Sequence, residues 1–397
     1  MRIREPDFQT VYYERGFAEL QSARGYRSAD MQVKYAVDSP RNALRVSVAA
    51  ERTGLRFLRL RWAFLPEDMP PRPWRILGDQ WERGYGTMGW RGLCPECSMP
   101  WYFLLETPAV AEKRAVPGRV MGFGVMVRPH AFCSWQLDEA GVTLWLDIRN
   151  GGAAVRLNGR VLQAATVVFQ DFDGLSDWEA ASRFCHTMSP APLLPSEPVY
   201  GFNNWYYAYG KSSHADILKD SALLAQLTEG LANRPFMVID DGWQINRCDG
   251  PWDRGNEAFP DMEGLAREMG QAGVRPGIWV RLLSDTTHAA TGLPRECRMA
   301  ADDGPLDPSH PAVIAHVEEA IRRLVGWGYQ MIKHDFSTRD ITGRYGMDMP
   351  FFVILPEEIW HFFDRGRTTA EIVIAFPLHP PLSPRLAACS PRRLFSR

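Results

Sequence analysis

Tyr329-Gln-Met-Ile-Lys333-His334-Asp335, with Phe236-Met-Val-Ile-Asp240-Asp241-Gly242-Trp243 upstream of it, decides how this chain is read. Each stretch places carboxylates at the end of a short apolar run that reads as a buried parallel strand. In a barrel of alternating strands and helices, that is the end where chemistry sits. Side chains alternate with period two, so Asp335 shares a side of its strand with Lys333 and His334 points the other way, as a packing histidine. A carboxylate held beside an ammonium stays ionised, and it can then attack or stabilise a developing cation. One such pair is equally an ordinary ion pair at a strand end. Two sites in register argue for more.

The rest of the second half keeps the same rhythm. Val199 to Trp205, Phe236 to Ile239, Val274 to Val280 and Tyr329 to Asp335 are four candidate strands. Helical stripes separate them: Ile217, Leu224, Leu227 and Leu231, then Met262, Leu265 and Met269. The next helix is expected to start at Ser309, with Pro311 in its first turn, and to end at Gly326 and Gly328. Pro356 to about Ile374 reads as the helix after the fourth strand. Strand-helix alternation at this spacing means a parallel sheet. No Gly-rich phosphate loop follows any of the strands, so nucleotide binding has no support. Four units stand where a closed barrel needs eight. After them the pattern dissolves into Phe376-Pro-Leu-His-Pro-Pro-Leu-Ser-Pro384 and an Arg-rich end. That stretch is read either as a disordered tail or as the result of a truncation or frameshift. The second is favoured, because a half-barrel leaves a sheet edge open to water.

The first half reads as closely spaced strands, among them Phe123 to Arg128, Phe132 to Leu137 and Val142 to Ile148. Asn158-Gly159, between Val155-Arg-Leu and Arg160-Val-Leu, predicts a tight hairpin. Together these suggest an antiparallel sandwich. Ser176-Asp-Trp-Glu179 offers a capping box for a helix reaching about Met188. Ser189 to Pro198 carries four prolines and no periodicity, as a boundary would. The expected organisation is an all-β sandwich over 1–188, a Pro-rich linker over 189–198 and the first half of a TIM-type (β/α)8 barrel over 199–374. An aberrant Pro/Arg-rich tail over 375–397 completes it.

The chain has 397 residues, 45% hydrophobic and 23% charged, enough for a sizeable core in two domains. A formal net charge of -2 argues against nucleic acid or an anionic membrane as partner. No apolar run approaches membrane-spanning length. The absence of a visible signal peptide and the odd count of seven cysteines point to a reducing, cytoplasmic setting. Cys94-Pro-Glu-Cys97 lacks a second ligand pair and reads as incidental thiols rather than a zinc site. Carboxylates from separate strands suit sugar hydroxyls, and Trp205 or Trp243 would give a sugar ring an apolar face unless each simply packs. Asp240-Asp241 has two other readings, a helix cap or a divalent-metal site. With no third carboxylate close in sequence, a metal is not expected.

Asp240-Asp-Gly-Trp243 after the second strand and Lys333-His-Asp335 after the fourth resemble the α-galactosidases of glycoside hydrolase family 36 and their melibiase relatives. Asp79 to Gly86, Met99 to Phe103, Phe202 to Tyr207, His361 to Arg365 and Thr368 to Glu371 extend the resemblance over roughly residues 10 to 374. It implies a retaining α-galactoside hydrolase that works through two carboxylates and a covalent glycosyl-enzyme, without a cofactor. Asp335 then matches the nucleophile, and Lys333 a lysine on the sugar hydroxyls. Asp240 and Asp241 match the pair that binds the hydroxyls distinguishing galactose. Trp205 falls near an aromatic at the first strand end, and Arg281 where a polar residue follows the third strand. The family's acid/base lies on a later strand, and Asp340, Asp348 and Asp364 stand in no matching motif. Three further readings stay open: a raffinose-synthase-like transglycosidase, a non-catalytic carbohydrate-binding protein, and a decayed remnant. The expected partner is an α-galactoside or related oligosaccharide, and the sequence does not indicate an oligomeric state.

Overall fold

The computed structural model describes residues 2–14, 16–21, 26–27, 30–65, 73–80, 88–107, 119–285, 291–299, 305–342 and 363–375. They fall into two compact units, one comprising 2–192 with 363–375 and the other 193–342.

The first unit opens with β1 (Phe8–Tyr13), β2 (Gly16–Gln21), β3 (Tyr26–Arg27), β4 (Met31–Asp38), β5 (Ala43–Ala50), β6 (Gly54–Ala63) and β7 (Arg75–Gly78). Then come β8 (Met99–Pro100), β9 (Tyr102–Thr107), β10 (Arg119–Val125), β11 (Phe132–Asp138), β12 (Gly141–Asp147), β13 (Val155–Arg156), β14 (Val161–Phe172) and α1 (Asp177–Met188). One antiparallel sheet runs β2-β1-β6-β12-β11-β8, with β13 added to β6; the other runs β3-β4-β5-β14-β10-β9-β7. Alternation sends Leu44, Val46 and Val48 of β5 and Leu58, Leu60 and Trp62 of β6 into one shared core. Large rings fill its centre: Phe103 stacks on Phe123 at 4.8 Å, and Trp62 meets Phe169 edge-on at 5.5 Å.

The outer face of the second sheet is covered by α1. Ser176 and Glu179 form the expected capping box. Phe184 lies directly over β10, where a Cβ on Gly122 would come within 2.7 Å of its ring. Glycine is required there by close approach.

Asn158 and Gly159 both take positive φ, 51° and 79°, as a tight turn demands. Its two arms nevertheless part, β13 pairing with β6 and β14 with β5 in the opposite sheet. The expected hairpin is instead a crossover between sheets. A second correction concerns the stretch read as the last barrel helix, Pro356 to Ile374. Its described part carries α7 (Thr369–Ala375), whose approach is fixed to the sandwich. Thr368 Oγ1 donates to His130 O at 2.6 Å, Thr369 N to Arg149 O at 2.9 Å, and Arg160 grips Glu371 at 2.6 Å. Long-range pairing, invisible to periodicity, places this helix in the first unit. The remainder of Pro356 to Ile374, and 376–397 of the expected tail, lie outside the described residues.

The second unit is built on β15 (Gly201–Asn203), β16 (Phe236–Ile239), β17 (Arg275–Val280) and β18 (Met331–His334), parallel and in chain order. Between them stand α2 (Trp205–Ala208), α3 (His214–Leu227), α4 (Met262–Gln271) and α5 (Pro311–Gly326), and α6 (Ser337–Thr342) follows β18. His310 rather than Ser309 caps α5, its Nδ1 accepting from Ala312 N at 3.2 Å, and Pro311 takes the first helical position. Among the described residues no helix is long and apolar enough to cross a membrane.

Candidate active site

Register places the site. Ile239, Ile278 and Ile332 lie side by side on one face of the parallel sheet. Val238, Gly277 and Met331 form a row on the other, and Phe236, Val238 and Met331 cluster there as buried apolar packing. One step further along this second face, Trp279 lies beside Lys333, and Asp240 leaves the end of β16. Polar groups thus begin where the apolar packing ends, at the carboxyl ends of the strands.

Asp240 is 4% exposed and surrounded by donors. Its Oδ2 accepts from Asn203 Nδ2 at 2.6 Å and from Lys333 Nζ at 2.7 Å, and its Oδ1 accepts from Asp241 N at 2.9 Å. Asn204 Oδ1 receives the backbone N–H of Asp240 at 2.8 Å. Lys333 Nζ also lies 3.6 Å from Asp335 Oδ2. Trp279 Nε1 donates to that same oxygen at 2.9 Å, and Asp335 N donates to Val280 O. The Asp335 side chain is 38% exposed, so a carboxylate oriented by an indole and an ammonium still faces outward.

The remaining expected residues divide differently. Asp241 turns from Asp240 into its own loop, where Gln244 Nε2 donates at 2.6 Å, Cys248 N at 3.2 Å, and Arg247 stands 3.5 Å away. Cys248 beside it is pushed up to about 11, by burial first and then by the Asp241 charge. Gly242, at φ 114°, allows the loop to pass Gly210, whose carbonyl would be 2.6 Å from a Cβ. Arg247 Nη2 in turn holds Tyr209 O at 2.8 Å. Trp205 begins α2, half-buried and edge-on to Tyr209 at 5.6 Å.

Trp243 requires a correction. It is 0% exposed, donates from Nε1 to Trp279 O at 2.8 Å, and packs against Trp252 and Trp327. A ring with no open face cannot stack on a sugar, and its role is to support Trp279 from behind. Arg281 makes a two-pronged contact with Asp340 at 2.6 to 3.2 Å and lies 4.8 Å over the Phe336 ring. Burial works against its charge, but the hydrogen bonds and charge of Asp340 outweigh this and raise its pKa. Among the described residues no group of three His, Cys, Asp or Glu side chains is placed to hold a metal ion.

Asn203 and Trp279 are the site residues that the sequence reading did not single out. The alternation that paired Lys333 with Asp335 would have found Trp279, had it been applied to β17. Asn203 lies within the quoted stretch Phe202 to Tyr207, but no local pattern marked it as the partner of Asp240.

His334 faces the other side, half-buried, with Nε2 enclosed and unpartnered. Burial pushes its pKa down to about 4, against a smaller opposing pull from Asp335. The unfolded chain takes up this proton near the ordinary histidine value, so it binds more protons than the folded chain between the two. Stability is therefore expected to fall as pH drops from about 6.5 to about 4, by about 2 kcal/mol once partial exposure is discounted. In His334→Phe that slope should flatten in urea unfolding followed across the same range. An unchanged slope would assign the acid sensitivity to other groups.

No family model and no curated protein matches this chain. Solved structures do. An α-galactosidase from Lactobacillus brevis superposes with a TM-score of 0.53 and 15% identity over 88% of this chain. A family 36 α-galactosidase from Geobacillus stearothermophilus, in complex with 1-deoxygalactonojirimycin, gives 0.52 and 17% over 84%. An α-galactosidase from Thermus thermophilus, in complex with p-nitrophenyl α-D-galactopyranoside, gives 0.50 and 16% over 86%. Over the part it matches, the chain shares the fold of these α-galactosidases. The chain spans 56%, 55% and 64% of those three proteins, respectively.

Proposed function

We propose that the second unit is the opening part of a (β/α)8 barrel, and that its strand ends bind a terminal α-galactoside for retaining hydrolysis. The observation that carries this reading is Asp335, half-open at the end of β18, with Trp279 and Lys333 on one of its oxygens and Asp240 sharing Lys333. Asp335 is the nucleophile. Lys333 and Asp240 form the polar wall that meets sugar hydroxyls. Trp279 holds the attacking carboxylate at one oxygen and leaves the other directed by Phe336 N. Asp241, the second of the pair that the resemblance assigns to sugar hydroxyls, is held by Gln244 Nε2 and Cys248 N in the loop at 244–248.

Retaining hydrolysis needs a second carboxyl, about 5–5.5 Å from the first, to protonate the leaving oxygen. Asp240 does not suit that task, since both its oxygens accept hydrogen bonds. Asp340 is committed to Arg281, Asp364 belongs to the first unit, and Asp348 lies outside the described residues. None of these matches the family's acid. The 397-residue polypeptide is therefore expected to bind 1-deoxygalactonojirimycin in calorimetry, to lose that binding in Asp240→Ala, and to turn over an aryl α-galactoside no faster than Asp335→Asn. Turnover abolished by Asp335→Asn would keep the nucleophile and overturn the missing-acid statement. Absence of binding by a cooperatively folded chain would refute the galactoside reading itself.

A further inference from the structure

The loop from β7 to β8 carries a feature that the glycosidase reading does not use. In its described part, 88–98, Trp90 packs on the α1 side and Leu93 on the core between the sheets. Within it, Cys97 N donates to Cys94 O at 3.0 Å, closing a turn with Pro95 in its second position. A turn of this span keeps the two Cα atoms within about 7 Å, the range that a disulfide bridges. The two sulfurs lie 3.0 Å apart, against about 2.05 Å in a disulfide bond. The turn is anchored on both flanks: Arg91 before it and Ile76 exchange backbone hydrogen bonds at 2.7 and 2.9 Å, and β8 after it pairs with Ser134 and Trp135. Bond formation therefore needs side-chain rotation and little backbone movement. Pro95 and Glu96 are exposed and the thiols half-buried, so a small oxidant can reach them.

We propose that Cys94 and Cys97 are a dithiol–disulfide couple that exchanges with small-molecule disulfides such as oxidised glutathione. Cys97 donates its S–H to Cys94 Sγ, and burial together with that hydrogen bond pushes its thiol up. Cys94 is accordingly the entering nucleophile. Its thiolate attacks one sulfur of the glutathione disulfide, and that S–S bond breaks to release one glutathione thiolate, which is protonated. Cys97 then loses its proton and attacks the Cys94 sulfur of the mixed disulfide, expelling the second glutathione. Two protein thiols are oxidised and one glutathione disulfide is reduced to two thiols. Two sulfurs alone do not complete a zinc site, and no third ligand joins them among the described residues.

The test is equilibration of the full chain across ratios of oxidised to reduced glutathione, then maleimide trapping and peptide mass mapping. The expected product is an internal Cys94–Cys97 disulfide peptide, lighter by two hydrogens and restored by dithiothreitol, while exposed Cys185 forms only the mixed disulfide. Cys97→Ser should instead accumulate glutathione on Cys94. Free thiols at both positions in the most oxidising buffer would overturn the proposal. So would a persistent mixed disulfide in the unmutated chain, or maleimide protection removed by a chelator rather than a reductant.

Discussion

Lys333→Met is expected to lower the stability of the second unit by about 3 kcal/mol and to abolish galactoside binding. The lysine contributes the only cation in contact with Asp240 among the described interactions, at 2.7 Å. Without it a carboxylate that is 4% exposed keeps Asn203 and one backbone N–H but no opposite charge. Leaving a buried charge unpaired costs more than the pair itself contributes, although the 30% exposure of Lys333 places the expected loss at the low end. Urea unfolding of Lys333→Met, Asp240→Asn and the double variant measures this directly. The two single losses should not add, and the double should recover at least about 1 kcal/mol. Additive losses would mean that the two side chains act independently, and the shared polar wall would have to be abandoned.

Arg281→Met is expected to cost about 3 kcal/mol, because the side chain of Asp340, 1% exposed, would lose the two-pronged contact with its guanidinium. The loss should appear as local opening, with faster amide hydrogen exchange over 336–342, the segment that follows Asp335. Asp340→Asn should destabilise in the same direction, and the pair Arg281→Met with Asp340→Leu should recover most of the loss, since a buried ion pair replaced by apolar groups is often neutral. The result also decides what Arg281 does. A variant that unfolds at the original urea concentration but binds 1-deoxygalactonojirimycin weakly would make Arg281 a ligand contact. The two-pronged Asp340 contact and the packing on Phe336 favour the positioning role.

Apolar runs and period-two alternation were sufficient to read the parallel strands, the sandwich before them, and Lys333 and Asp335 on one side of β18. These are local properties: a strand's own geometry sets which side chains share a face. The same local logic found the capping box at Ser176 and the turn at Asn158-Gly159. It failed where the partner was remote. Asp240 and Asp241 look equivalent in the sequence, yet one meets Lys333 across the sheet and the other folds into its own loop.

What the sequence by itself determined is therefore a set of strand ends carrying carboxylates. Only the tertiary structure decided that Trp279 orients Asp335, that Trp243 is sealed behind it, that Arg281 belongs to Asp340, and that α7 lies with the sandwich. Each of those outcomes depends on register between strands or on the path of a loop. Register and loop path are set by contacts between residues tens of positions apart, which no window along the chain contains.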